Sequence, residues 1–160
     1  MPTRFGIGYD IHRIAPGRAL VLGGVRWEES PWGLDGHSDA DVLLHAIGDA
    51  LLGALALGDL GTHFPPGDPK WKDASSLDLL GYIRALVAGR GATIVNVDAM
   101  LVAEAPRVAS QVGAMRANIA AALAIDPSQV SVKATTNEGL GAVGRSEGIA
   151  AWATAAVETR

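Results

Sequence analysis

The chain has 160 residues, of which 49% are hydrophobic, and this length suits one domain with a substantial core. Its net charge of −4 argues against a nucleic-acid partner, because phosphate backbones are bound by clusters of Lys and Arg, which the sequence lacks. The absence of cysteine excludes disulfides and thiolate zinc sites, so a metal ion would have to be held by histidines and carboxylates. No apolar stretch approaches about 18 residues and no signal-peptide core is present, so we expect one cytoplasmic domain, 1–160, without a membrane partner.

The apolar pattern predicts a mixture of strands and helices. Strands are predicted at 4–10, 19–23, 92–103, 130–135 and 149–157. Helices are predicted at 39–57, 76–89 and 107–125, where apolar residues recur at intervals of three and four, and Ser38 is the expected N-cap of the first. We therefore expect an α/β fold, more specifically an α+β sandwich with one sheet and helices against one of its faces.

Three residues of the first strand and first helix form a candidate metal site. Asp10 and His12 lie two positions apart on a strand, so both side chains point to the same face and can reach one ion. His45 lies on a polar stripe of the predicted helix, opposite the leucines. Two imidazoles and one carboxylate would leave the fourth tetrahedral position of zinc open, as a catalytic site requires.

The spacing leaves two interpretations of this candidate site open. In the first, the three residues bind one ion, and Asp41 or Asp49 on the same helical stripe could orient the His45 imidazole. In the second, His12 is a strand-end histidine and His45 a helix-surface histidine, and the two are unrelated in space.

Other polar residues suit phosphate, but each also has an ordinary structural role. His37 and Ser38 precede a helix N-terminus, where free amides favour an anion, although Ser38 could simply cap the helix. The proline-rich and glycine-rich segment 58–72 is typical of a functional loop, and its aspartates could equally serve in turns. Residues 133–138, followed by glycines and Arg145, suit phosphate oxygens and a hard cation such as Mg²⁺, or else form a solvated turn.

Three stretches, residues 6–13, 36–66 and 133–150, together identify a protein family more specifically than any one of these motifs. In them the chain resembles the 2-C-methyl-D-erythritol 2,4-cyclodiphosphate synthase family, the cyclases of the non-mevalonate isoprenoid pathway. The resemblance implies a four-stranded mixed sheet backed by helices on one face. It also implies a homotrimer with an active site at each subunit boundary.

The resemblance further implies an enzyme of the phosphorus-oxygen lyase class. The implied reaction converts 4-diphosphocytidyl-2-C-methyl-D-erythritol 2-phosphate into 2-C-methyl-D-erythritol 2,4-cyclodiphosphate and CMP, by metal-assisted intramolecular phosphoryl transfer. One alternative is a non-catalytic trimeric module that binds CMP or an isoprenoid diphosphate and needs no open metal site. Another is a zinc phosphomonoesterase, which would activate water and release free phosphate.

The resemblance assigns metal ligands to four residues of the sequence. The implied Zn²⁺ ligands are Asp10, His12 and His45. Glu138 is the implied ligand of a second ion, Mg²⁺ or Mn²⁺, which bridges the diphosphate. His37 and Thr136 are the implied catalytic residues, which would support the charge that develops during transfer.

Substrate contacts are also implied by the resemblance. They are Ser38, Asp59, Gly61, Phe64, Asp68, Ala103, Ala105, Pro106, Arg107, Ala109, Thr135, Glu138 and Arg145. Asp59 and Gly61 would hold the methylerythritol moiety, and Phe64–Asp68 would form a flexible loop that covers the substrate. Residues 103–109 with the two threonines would form the cytidine pocket, contributed by the neighbouring subunit.

Overall fold

The computed structural model describes residues 2–160. The strands are β1 (Thr3–Pro16), β2 (Leu20–Leu22), β3 (Val25–Trp27), β4 (Trp32–Leu34), β5 (Ala92–Val102), β6 (Val130–Thr135) and β7 (Gly148–Thr159). The helices are α1 (Val42–Ala54), α2 (Leu60–His63), α3 (Ser76–Gly89), α4 (Val112–Leu123) and α5 (Gly141–Gly144). Within this described part of the chain, none of the helices has the length and hydropathy needed to cross a membrane.

The main sheet contains five strands in the order β4-β1-β7-β5-β6 over residues 2–160, whereas β2 and β3 form a separate hairpin. Its pairs are antiparallel except for the parallel pair β5 and β6. The expected four strands are therefore one too few. The first strand continues to Pro16 and pairs there with β4, where Ile14 lies opposite Leu34. With only three residues, β4 is too short to show a periodic pattern in the sequence.

The face of β1 that carries Gly6 and Gly8 packs against α1. At either glycine a Cβ would lie 1.9 Å from a carbonyl oxygen of α1, so only glycine permits this close approach. Because side chains alternate along a strand, the same parity directs Asp10 and His12 toward the helix. On the same side of the sheet, α3 packs against β5 and α4 against β6.

The opposite face of the sheet carries large apolar side chains that are exposed. These are Phe5, Ile7, Tyr9 and Ile11 on β1 and Trp152 on β7. The rings of Tyr9 and Trp152 contact each other, with their centroids 4.8 Å apart. The helices therefore cover one face of the sheet, as predicted, and the other face presents a continuous apolar surface.

Two of the three predicted helices are shorter at both ends than predicted, since α1 spans Val42–Ala54 and α4 spans Val112–Leu123. The N-cap of α1 is Asp41, whose side chain accepts a hydrogen bond from the backbone N–H of Leu44, so the prediction of Ser38 as the cap is wrong. The helix predicted to start at 107 starts at 112, because residues 109–111 form a 3₁₀ turn. The bounds of α3 are those predicted.

Candidate active site

Three donor atoms from β1 and α1 converge on one point. His12 Nε2 lies 2.8 Å from Asp10 Oδ2, and His45 Nδ1 lies 3.0 Å from the same oxygen. The two imidazole nitrogens are 3.2 Å apart. Across residues 2–160, this is the one group of three such side chains close enough to share an ion. The interpretation of His12 and His45 as unrelated in space is therefore wrong.

A backbone carbonyl determines which nitrogen of His12 faces the group. His12 Nδ1 lies 2.6 Å from the carbonyl oxygen of Asp35. Because a carbonyl only accepts, Nδ1 carries a proton, so in the neutral ring Nε2 is the nitrogen whose lone pair is available to a metal ion. The loop that provides this carbonyl is held to β1 by the backbone hydrogen bond from Asp35 N to Arg13 O, 2.8 Å long.

The other nitrogen of His45 lies between two serine hydroxyls. Ser76 Oγ is 3.0 Å and Ser38 Oγ is 3.1 Å from His45 Nε2. The Ser76 hydroxyl donates in turn to the carboxylate of Asp39. Neither Asp39 nor Ser76 was identified from the sequence, because Ser76 lies 31 positions beyond His45 and only the packing of α3 brings it near.

The sequence-based interpretation that Asp41 or Asp49 orients His45 is wrong. Both oxygens of Asp41 accept backbone N–H groups, from Gly23 and Gly24 at 3.0 and 2.7 Å as well as from α1. Burial raises the pKa of Asp41 to about 6. Asp49 instead accepts the N–H of Leu60 at 2.8 Å and so holds the start of α2.

The electrostatics of the donor group favour a cation. Burial acts to raise the pKa of Asp10, but the adjacent His12 and His45 imidazoles outweigh it and lower that pKa to about 2. Burial acts to lower the pKa of His12, yet the Asp10 carboxylate stabilises its imidazolium and the net pKa is raised. The field that attracts an extra proton to His12 would attract a divalent ion in the same way.

The geometry of the donors can be compared with that of a tetrahedral metal site. Bonds of about 2.0–2.1 Å would separate tetrahedral donor atoms by about 3.4 Å. The three observed separations range from 2.8 to 3.2 Å, so a small outward movement would accommodate an ion. Two nitrogens and one carboxylate oxygen form a donor set that zinc takes, and the residues present therefore fit such an ion.

The donor group lies in a cleft of about 400 Å³. The lining residues that were predicted are Asp10, His12, His37, Ser38, His45, Asp59, Gly61 and Phe64. Pro66, within the predicted covering loop, also lines the cleft, and the lining residues that were not predicted as contacts are Asp49, Leu60, Trp71 and Leu79. Asp68 contributes through its backbone, whose carbonyl oxygen lies 3.2 Å from His37 Nε2 and accepts the proton of that nitrogen.

The loop at 58–72 forms one wall of this cleft. Phe64 packs against Trp71 and Tyr82, with centroid distances of 4.8 and 5.5 Å, so aromatic contacts tie the loop to α3. Asp59 caps α2 by accepting both the N–H and the hydroxyl of Thr62, and these bonds lower its pKa. Asp59 therefore has the turn role that its position in the loop suggested and also faces the cleft.

A second cleft, of about 380 Å³, lies where β5 and β6 end. The predicted residues that line it are Ala103, Pro106, Arg107, Ala109, Thr135 and Thr136. Ala105 faces a smaller neighbouring cavity. Glu138 is exposed, and its backbone N–H donates to Thr136 Oγ1 at 3.2 Å. Arg145 pairs with Glu147, with 2.7 Å between Nε and Oε2.

The two clefts are separated across the sheet. The first is built on β1 and the second at the ends of β5 and β6, and β7 lies between β1 and β5. With neighbouring strands about 4.8 Å apart, β1 and β6 are about 14 Å from each other. The predicted site residues therefore form two distinct sets within one chain.

Comparisons with known proteins agree over nearly the whole chain. The YgbB family model matches residues 3–158. A 2-C-methyl-D-erythritol 2,4-cyclodiphosphate synthase of Synechococcus elongatus is 57% identical, with 95% of this chain and 94% of the relative covered. One of Dehalococcoides mccartyi is also 57% identical, with 98% and 99% covered.

Solved structures show the same fold. The bifunctional IspDF of Campylobacter jejuni matches with a TM-score of 0.94 and 38% identity over 99% of this chain, which spans 43% of that longer protein. IspF of Plasmodium falciparum in complex with CDP matches with a TM-score of 0.86 and 35% identity, with 99% and 97% covered. On these matches, the chain belongs to the YgbB family, whose relatives here are 2-C-methyl-D-erythritol 2,4-cyclodiphosphate synthases.

Proposed function

We propose that this protein converts 4-diphosphocytidyl-2-C-methyl-D-erythritol 2-phosphate into 2-C-methyl-D-erythritol 2,4-cyclodiphosphate and CMP, as a phosphorus-oxygen lyase. The observation that carries the proposal is the convergence of Asp10, His12 and His45 in a cleft beside His37 and Ser38. The names of the relatives support the cyclic product, and the CDP complex of the Plasmodium falciparum protein supports a cytidine ligand.

The reaction needs no nucleophile from the protein. An oxygen of the 2-phosphate attacks the β-phosphorus, and the new P–O bond closes the ring. The bond from the β-phosphorus to the bridging oxygen breaks, and that oxygen leaves with its electron pair as part of CMP. Because both reacting groups belong to one substrate, catalysis consists mainly of positioning and charge stabilisation.

The first cleft is proposed to bind the reacting phosphates, with Zn²⁺ held by Asp10, His12 and His45. When bound there, zinc supplies a Lewis acid for a phosphate oxygen. Ser38 Oγ accepts the N–H of Ala40 at 3.2 Å, which leaves the hydroxyl proton free to donate to that phosphate. His37 lines the same cleft and would support the charge that develops during transfer.

The second cleft is proposed to bind the cytidine end of the substrate. Its apolar lining, with Arg107 at its edge and hydroxyls from Thr135 and Thr136, suits a base and its phosphates. The exposed carboxylate of Glu138 suits Mg²⁺ or Mn²⁺, since such ions are bound by one or two carboxylates and substrate phosphates. Arg145 would approach the same phosphates.

We also propose a homotrimer in which each active site combines the first cleft of one chain with the second cleft of the next. The separation of β1 from β6 supports this arrangement, because one substrate must contact both sets of residues. The exposed apolar face of the sheet supplies a surface for contacts between chains. Head-to-tail contacts of this kind close into a ring.

Mass analysis of the products tests the proposed reaction. The purified protein with zinc and Mg²⁺ is incubated with the cytidylated substrate, and protein treated with a chelator serves as the control. We expect the cyclic diphosphate and CMP in equal amounts. Free phosphate would instead indicate a phosphomonoesterase, and unchanged substrate would indicate a module that only binds cytidine ligands.

A further inference from the structure

Asp39 and Ser76 lie behind His45, on the side of the ring away from Asp10. Ser76 is the first residue of α3 and is 1% exposed. Its hydroxyl donates to Asp39 Oδ1 and its backbone N–H donates to Asp39 Oδ2 at 3.0 Å. Its oxygen lies 3.0 Å from His45 Nε2. A continuous chain of hydrogen bonds therefore runs from a carboxylate through a hydroxyl to the imidazole.

The number of available protons determines which atom donates in each of these hydrogen bonds. A serine hydroxyl has one proton, and an ionised carboxylate only accepts, so the Ser76 proton points to Asp39. Ser76 Oγ then presents a lone pair to His45, and Nε2 must carry the ring proton. The lone pair of Nδ1 is left to face Asp10 and His12, which is the form of imidazole that binds a metal.

Ser38 also contacts His45 but occupies a different environment. It lines the first cleft, and its oxygen already accepts the N–H of Ala40 at 3.2 Å. Ser76 is almost fully buried, so a substrate cannot reach it. The two hydroxyls therefore have separate surroundings, one facing the ligand and one facing the protein interior.

We propose that Asp39 and Ser76 are positioning residues for the zinc ligand His45, which leaves the Ser38 hydroxyl free for the substrate phosphate. Because Ser76 begins α3 while His45 lies on α1, the affinity for zinc then depends on the packing of these two helices. This inference rests on the proposed zinc site.

The test is the zinc dissociation constant, measured by competition with a chromophoric chelator on protein that has been stripped and reloaded. Ser76→Ala should weaken zinc binding about 10- to 100-fold, the usual effect of losing such a partner, whereas Ser75→Ala should stay within about twofold of the parent. Ser75 is the matched control, because it precedes Ser76 and its side chain makes no capping hydrogen bond. Ser38→Ala should mainly raise KM for the substrate.

Two results would overturn the positioning role. One is a dissociation constant in Ser76→Ala equal to that of Ser75→Ala, even if the melting temperature falls. The other is a larger loss of zinc affinity in Ser38→Ala than in Ser76→Ala. If Ser76→Ala does not assemble, Asp39→Asn decides, because it keeps the shape and removes the charge, and parent-like affinity there would also reject the role. A parent protein that binds no zinc would refute the proposed metal itself.

Discussion

The two clefts of this molecule differ in how well a single chain buries and supports their functional side chains. In the first, the side chains of His12 and His45 are 18% and 13% exposed, and each imidazole is held from behind by a backbone carbonyl or by hydroxyls. In the second, the lining residue Thr136 is exposed, and so is Glu138, which lies outside the lining two residues further on. A metal site with fixed ligands can thus form within one chain, whereas the second cleft is expected to become an active site only when another chain covers it.

The largest expected effect comes from removing a candidate metal ligand of the first cleft. His45→Ala removes one of three donors, so we expect zinc to fall from about one per chain to background and turnover to fall by more than about 100-fold. Metal content by mass spectrometry and CMP release measure the two effects. His63→Ala is the control, because that imidazole contacts the backbone oxygen of Leu57 and lies outside the cleft lining. Parent-like zinc and turnover in His45→Ala would reject the metal site.

A smaller effect is expected at Glu138, just beyond the second cleft. Glu138→Gln keeps the shape of the side chain but weakens its hold on a hard cation, so turnover should fall about 10- to 100-fold while zinc content stays unchanged. Glu28→Gln provides the control, since Glu28 is an exposed partner of Arg26 on the hairpin segment. Turnover equal to the parent at saturating Mg²⁺ would show that Glu138 has no such role.

The smallest expected change tests whether the clefts of different chains combine. His12→Ala and Glu138→Ala should each be inactive alone. When the two chains assemble at random, about a quarter of the sites should be restored, because these sites take the metal ligands from a Glu138→Ala chain and the second cleft from a His12→Ala chain. Light scattering must first show mixed particles of three chain masses. Activity at background in such particles would mean that each site lies within one chain.

The convergence of the three candidate metal ligands could be predicted from the sequence because local rules apply to them. Asp10 and His12 share a face through strand alternation, and the polar stripe of a helix carries His45. The family resemblance supplied the proposed substrate contacts, most of which line one or the other of the two clefts.

The features that were missed depend on contacts between distant parts of the chain. Ser76 reaches His45 only through the packing of α3 against α1, and no periodicity predicts that contact. The strand β4 was missed because its three residues form a strand only by pairing with the end of β1. Asp41 was predicted to orient His45, but the backbone amides of a turn about 17 residues away bind its carboxylate instead.

The two glycines of β1 affect the spacing between β1 and α1, and therefore the positions of the donor atoms on these two elements. An added methyl group at Gly8 would lie 1.9 Å from Ala46 O, next in sequence to His45, where ordinary contact needs about 3.5 Å. Relief of that overlap would move strand and helix apart by roughly 1.5 Å, while metal-ligand bonds tolerate about 0.2 Å. The geometry of the donor group therefore depends partly on positions that have no side chain, and we expect substitutions at them to weaken the proposed zinc binding.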